Sequence, residues 1–378
     1  MYFRIKLSVI FLFVFLTLAM VVNSIADTRM RVTFINPGKS DEVFWAMVSA
    51  AMIASAEDLD VDLEVLYAER DRFRMKTLGN EVAARSNPPQ YLIVVNEEQS
   101  AEEMVLAADR AGIKTFLLLN DFIGDQRKRM GEPRSLYDNW LGSITPDNGD
   151  AGLRMAQAII QKAVQKHKAD ANGKFHLLAI GGDKVTPASI ERNSGVYKAL
   201  NQHPEVVLDR MVFANWNMKE AEKVTSRYLE WSQRNNIQPS AIWAANDPIA
   251  VGAVRALRSH NLEPGQDVFV SGLNWSKQGL AMVEAGEMVL TDGGHFLAGA
   301  WALVLLRDYH DGIDFASEGA RVRFQMAAID VNNIGEYKKH LGDETWSKID
   351  FSRFSRARNP ALKNYEFSLG PILRQFKE

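Results

Sequence analysis

Several short stretches of this sequence place aromatic rings beside amides, carboxylates or a guanidinium, each just past an apolar run. "DEVFW" carries Asp41, Phe44 and Trp45, and "LLLND" ends on Asn120 and Asp121. "TPASIERNSG" carries Arg192, "MVFANW" ends on Trp216, "AIWAAND" on Asn246 and Asp247, and "VFVSGLNW" on Asn274 and Trp275. Rings stack on the apolar C–H faces of a small molecule, while Asp, Asn and Arg hydrogen-bond to its hydroxyls, some with charge assistance. The mixture suits a small polyhydroxylated ligand. Phe44, Trp45, Asn120, Asp121, Arg192, Trp216, Asn246 and Asn274 are therefore the candidate binding residues. Each has a plainer reading. Asn246 or Asp247 caps a helix opening at Pro248, because proline is favoured in the first helical turn. Phe44 and Trp45 start a helix and serve as packing. Arg192 forms a surface ion pair. Trp243 belongs to the core.

Other chemistry lacks its residues. There is no G-x-G-x-x-G, no G-x-x-x-x-G-K-[ST], no H-E-x-x-H and no G-x-S-x-G, and the chain has no cysteine. No cofactor, no metal site and no catalytic group is expected, so the chain reads as a binding protein and not an enzyme. Asp308, His310, Asp311 and Asp314 in "RDYHDGIDF" read as a solvated helix end. Asp292 and His295 flank two glycines in "TDGGH", with no proton-transfer partner in sight.

The elements that must hold these residues alternate. "MRVTFIN", "VDLEVLYA", "PPQYLIVVN" and "KTFLLLND" read as strands with helices between them. After a polar, turn-rich insertion, "FIGDQRKRMGEPRSLYDNW", the pattern restarts and repeats through "KFHLLAIGG", "VVLDRMVFAN", "SAIWAAND" and "VFVSGLN". Near-continuous apolar strands alternating with helices indicate parallel sheets covered on both faces. In such sheets ligands bind beyond the carboxyl ends of the strands, where the candidate residues fall. "FQMAAIDV" reads as one further strand, and residues from about 335 onward as a helical and irregular extension.

The first 26 residues stand apart. Arg4 and Lys6 precede the apolar run "LSVIFLFVFLTLAMVV", and Ser24 and Ala26 offer a cleavage site after Ala26. This is the order of a secretory signal peptide, with an uncleaved anchor as the alternative. Cleavage removes two cations and moves the formal net charge from −3 to −5. That charge does not favour nucleic acid. A disulfide-free exported chain of this length can rely on its core, and the bacterial periplasm is the expected compartment.

The segments "AANDPIAVGAVRAL", "ASIERNSGVYKAL" and "LLLND…SITPDNGDAG", in this order, resemble the type I periplasmic solute-binding proteins of the ribose- and galactose-binding kind, over about Met30 to Asn333. The resemblance implies an α/β protein of two doubly wound, Rossmann-like lobes joined by a three-segment hinge. Residues 1–26 are then the signal peptide, 27–145 plus 293–318 the N-terminal lobe, 146–292 plus 319–334 the C-terminal lobe, and 335–378 an extension. Crossings are expected near Ser143–Asn148, Asp292–Gly294 and Ala328–Asn333. The resemblance also implies a monomer that carries its ligand to an inner-membrane ABC permease, or alternatively presents it to a sensor receptor. It matches Phe44 and Trp45 to the sugar-sandwiching aromatics, and Arg192, Trp216 and Asn246 to second-lobe contacts. Asn120–Asp121 departs from an acidic–basic pair, and Asn274 replaces a carboxylate. Both departures bear on which sugar is bound.

Overall fold

Apolar strands too short and too buried to stand alone gather here into two six-stranded sheets. The structure, a computed structural model, describes residues 29–377. The leader read at residues 1–26 lies outside the described residues. The first half runs β1 (Met30–Asn36), α1 (Val43–Asp58), β2 (Val61–Tyr67), α2 (Arg72–Ala83), β3 (Tyr91–Val94), α3 (Ala101–Arg110), β4 (Lys114–Leu118), α4 (Gly124–Met130) and β5 (Trp140–Pro146). The second runs α5 (Asn148–Gln165), β6 (Phe175–Gly181), α6 (Pro187–Gln202), β7 (Val206–Phe213), α7 (Met218–Arg234), β8 (Pro239–Ala244), α8 (Asp247–Ser259), β9 (Phe269–Leu273), α9 (Lys277–Glu284) and β10 (Leu290–Gly293). The chain returns through α10 (Ala298–His310), β11 (Arg321–Phe324), β12 (Ala327–Asp330), α11 (Ile334–Leu341) and α12 (Leu369–Gln375).

The strand orders are β11-β5-β4-β3-β1-β2 and β12-β10-β9-β8-β6-β7. β3, β4, β5 and β11 extend the first sheet in parallel from β1. β7, β8, β9 and β10 surround β6 in parallel, and β12 runs antiparallel to β10 at the edge. The order reverses at β1 and at β6, so each sheet opens a crevice at its strand tips. β3 and β8 are buried along their whole length, which explains why their sequences are apolar but for Ser240.

Three readings of the sequence need correction. "FQMAAIDV" is not one strand. Arg321–Phe324 pairs with Ser143–Pro146 in the first sheet, and Ala327–Asp330 pairs with Leu290–Gly293 in the second. The extended chain satisfies its backbone groups on one sheet, then on the other. The third crossing is therefore Gln325–Met326 rather than Ala328–Asn333, and the β11 part of residues 319–334 joins the first sheet. The polar insertion also holds a helix, α4, which lacks an apolar stripe and is seated by buried Gln126 and Met130. The Gln126 amide donates to Gln99 O (2.9 Å) and accepts from Asn96 (2.9 Å).

The crossings are stapled together. Arg154 on α5 donates from Nε and Nη2 to the buried Asp292 carboxylate (2.7 and 3.1 Å) and from Nη2 to Met326 O (3.1 Å). One guanidinium thus binds the second and third crossings.

Residues 335–377 pack closely against the lobes. Trp301 on α10 is enclosed by Phe351, Phe354 and Phe367, with ring centroids 5.6, 4.7 and 5.0 Å away. The buried Asp308 carboxylate accepts from Arg356 N (2.7 Å), Ala357 N (3.2 Å), Tyr365 Oη (2.8 Å) and Ser355 Oγ. Asp308→Ala strands these donors. It should cost roughly 2–4 kcal/mol in urea denaturation and speed proteolysis beyond residue 341. An unchanged proteolysis pattern would show that the carboxylate does not anchor the extension.

Candidate functional site

The tips of both sheets face a cleft of about 810 Å³. On the first-lobe side the turn after β1 is held by Asn36, whose amide donates to Trp45 O (3.2 Å) and Ser49 Oγ (3.0 Å) and accepts from Gly38 N (2.9 Å). That turn aims Phe44 and Trp45 into the cleft, where their rings meet edge to face at 5.1 Å. Phe44 stacks on His295 with centroids 4.5 Å apart. Asn120, past β4, lines the cleft and touches both lobes. Its Oδ1 accepts from Ala188 N (3.2 Å), and its Nδ2 donates to Glu97 Oε2 (3.3 Å).

On the second-lobe side α5 and α6 approach through glycines. A Cβ on Gly152 would meet Arg192 O at 2.1 Å, and one on Gly195 would meet Gly149 O at 2.4 Å. The close approach sets Arg192 into the cleft wall, 4% exposed. Its Nε donates to Asn148 Oδ1 (2.9 Å) and its Nη1 to Ala245 O (3.0 Å), while Nη2 has no protein partner among the described residues. Burial pulls its pKa down to about 10, against the partial compensation of Asp292 and Glu191, so it stays charged at neutral pH. Trp216 lies over Gly182, where a Cβ would come within 2.3 Å of the ring. The Arg192 guanidinium sits 5.7 Å from the Trp216 ring centroid, and Trp216 Nε1 donates to Asp183 Oδ2 (2.6 Å).

Asn246 serves two ends. Its Oδ1 accepts from Ile249 N (2.9 Å) and caps α8, and the residue also lines the cleft. Asp247 does not cap the helix that it starts. Its carboxylate accepts from Ser276 N (2.9 Å), Ser276 Oγ (2.7 Å) and Thr291 Oγ1 (2.8 Å), joining three strand tips. The Asn274 side chain lines the cleft with no protein hydrogen bond among the described residues. Trp243 is fully buried and donates to Gly152 O (3.2 Å).

Asp121 stands outside this group. It accepts from Phe122 N (2.6 Å) and Ser143 Oγ (2.8 Å) and pairs with Arg321, so it is used up in tying β4, β5 and β11 together. Glu97, at the tip of β3, lines the cleft instead, together with Asp41 and Glu42. Burial pushes the Glu97 pKa up to about 7, opposed by Arg70 (3.0 Å away) and reinforced by Asp183, Glu98 and Glu42. Arg70 also pairs with Glu42. The residues-after-strands rule would have found Glu97, since "VVNEEQ" is another apolar run ending in polar residues. His295 likewise lines the cleft. Burial and the nearby Arg192 charge hold its pKa well below the usual histidine range, so the ring is neutral at physiological pH. Glu344 and Trp346 reach the cleft from the extension, and nothing in their local sequence announces it.

Several buried polar atoms on lining residues have no hydrogen-bond partner among the described residues: Trp45 Nε1, Thr186 Oγ1 and His295 Nδ1. Such orphans are uncommon in folded proteins. Among the described residues no cluster of three or more His, Asp or Glu side chains is arranged to hold a metal ion. No helix among them is long and apolar enough to cross a membrane.

A family model described as "Periplasmic binding protein domain" matches residues 32–314. A solved periplasmic sugar-binding protein from Pseudomonas fluorescens is 33% identical, with a TM-score of 0.80 over 91% of this chain and 100% of that one. The galactofuranose-binding protein YtfQ of Escherichia coli is 21% identical over 174 residues, covering 46% of this chain and 49% of that protein. The ribose import binding protein RbsB of Haemophilus influenzae is 28% identical over 153 residues, covering 40% and 47%. The matched region thus spans about half the length of these two relatives.

Proposed function

The chain belongs to the periplasmic binding protein family, and from that premise we propose that it captures a small sugar or polyol between its lobes for delivery to an ABC importer. The observation that carries the reading is the set of unmet hydrogen-bonding groups in one cleft. Trp45 Nε1, Thr186 Oγ1 and His295 Nδ1, with Arg192 Nη2 and the Asn274 amide, lack partners among the described residues and include both donors and acceptors. A polyol meets such a set because each hydroxyl donates and accepts. The Phe44 and Trp216 rings offer faces for its C–H surface. The sugar-binding names of the similar proteins support the same class. The protein acts by binding and not by catalysis, and the N-terminal segment ending at Ala26 directs it to the periplasm, where it meets the permease.

Screening the protein by thermal shift against sugars, polyols, amino acids and nucleosides tests this. A carbohydrate or polyol at about 100 times its Kd should stabilise the fold by roughly 2.7 kcal/mol and raise Tm. The same ligand should change tryptophan fluorescence through Trp45 and Trp216. An amino acid or nucleoside that raises Tm while no carbohydrate does would overturn the reading.

A further inference from the structure

The three crossings lie at Pro146–Asp147, Gly293–Gly294 and Gln325–Met326, where the chain passes between the sheets. The extension makes a further passage. Its first part sits on the second lobe. Tyr337 on α11 packs edge-on against Trp275 (5.2 Å), Lys338 Nζ pairs with Glu284 (2.7 Å), and Glu344 pairs with Lys277 on α9 (3.0 Å). Its later part sits on the first lobe. Trp346 packs on Phe296 (4.6 Å), Phe351 N donates to Asp58 at the end of α1 (2.8 Å), and Arg358 pairs with Asp60 (2.7 Å). Residues 342–345 span the two, with Glu344 at φ +56°.

The two parts also meet directly. His340 on α11 stacks flat on Phe376, with centroids 4.9 Å and planes 13° apart, and Glu336 pairs with Lys377 (2.6 Å). The end of α12 is itself tied to the first-lobe part, since Gln375 accepts from Asp350 N (3.0 Å) and donates to Asp350 O (3.2 Å). Glu336 and His340 therefore ride on the second lobe, and Phe376 and Lys377 on the first. Rotation of the lobes about the three crossings must separate these pairs or drag α11 off Trp275.

We infer that the C-terminal extension is a fourth link between the lobes, whose clasp of Glu336 and His340 against Lys377 and Phe376 restrains opening of the ligand-free cleft. The span it holds carries Glu344 into the cleft wall and leads directly into Trp346, which also lines it, so the clasp keeps one side of the site built before ligand arrives. Ligand-free opening then depends on contacts remote from the ligand. The equilibrium shifts by the difference in these contacts between open and closed states.

The absence of cysteine permits a direct test. Phe73→Cys in the first turn of α2 and Ile190→Cys in the first turn of α6 place spin labels on exposed positions of opposite lobes. Electron–electron distances are then measured in the protein without ligand. With the clasp intact a short, narrow distribution is expected. Phe376→Ala combined with Lys377→Glu should shift it to longer, broader distances. Glu336→Lys added to Lys377→Glu, which reverses the ion pair, should return part of the short population. Glu336 and Lys377 are exposed and His340 and Phe376 half-buried, and a thermal melt confirms that the variants fold. Distributions that do not respond to the clasp variants overturn the inference. No ligand enters the measurement, so this outcome is independent of whether a sugar binds.

Discussion

Replacing Arg192 with alanine should weaken ligand capture by about 100-fold or more (~3 kcal/mol), as titration calorimetry with the ligand found by the thermal-shift screen would show. Two of its nitrogens are committed to Asn148 and Ala245, the third has no partner among the described residues, and the residue lines the cleft. Its charge is buried with no salt-bridged carboxylate among the described residues, so a ligand oxygen there would accept a charge-assisted bond in a poorly solvated place. Lysine should not rescue binding. An ammonium cannot keep both existing bonds and offer a third in the same plane. Ligand-free stability should move much less. The variant loses two hydrogen bonds but also relieves the cost of a buried cation, and these oppose each other. Wild-type affinity in Arg192→Ala would remove the second-lobe half of the site.

Asp247→Ala should be the most destabilising change near the cleft, by roughly 3 kcal/mol in urea denaturation. It strands Ser276 N, Ser276 Oγ and Thr291 Oγ1 at the meeting of β8, β9 and β10. Burial pushes this carboxyl's pKa from 3.8 up to about 6, opposed by those three hydrogen bonds. Below pH 3.8 the group is neutral in both states, and the folded form escapes the cost of a buried charge. As pH rises the unfolded chain ionises first, and the stabilisation from the neutral form is lost through about pH 6. The shift corresponds to stability on the order of 3 kcal/mol. Asp247→Asn keeps an acceptor for Ser276 and removes the ionisation. Its stability relative to wild type should therefore rise between pH 4 and 7. A difference that stays flat over this range would refute the raised pKa.

The strand tips were readable because the signal is local. A buried parallel strand is a continuous apolar run, and its end is marked where polar residues begin, as at Asn120, Trp216, Asn246 and Asn274. Which polar residue faces the cleft is not local. Asn120 and Asp121 are neighbours of similar size, yet one bridges the lobes and the other is consumed by Arg321, some 200 residues away in sequence. Asn246 and Asp247 divide their roles through Ser276 and Thr291, on segments that no spacing rule connects to them. Glu97 carries the same local mark as the others. The partners of His295, Phe44 stacking on it and Arg192 helping to hold it neutral, come from distant elements and leave no local mark.

Taken alone, the sequence determined the alternation of strands and helices, the two doubly wound halves and the strand ends where polar residues begin. These depend on apolar periodicity and turn chemistry within some ten residues. Only the tertiary structure decided that "RVRFQMAAID" divides between two sheets, because each half is equally extended and the choice lies in which strand edge is free to pair. Only it decided that Trp346 belongs to the cleft and Trp301 to the core beneath the extension. An indole carries the same apolar surface in either place, and its surroundings are set by chain segments that fold back from far away.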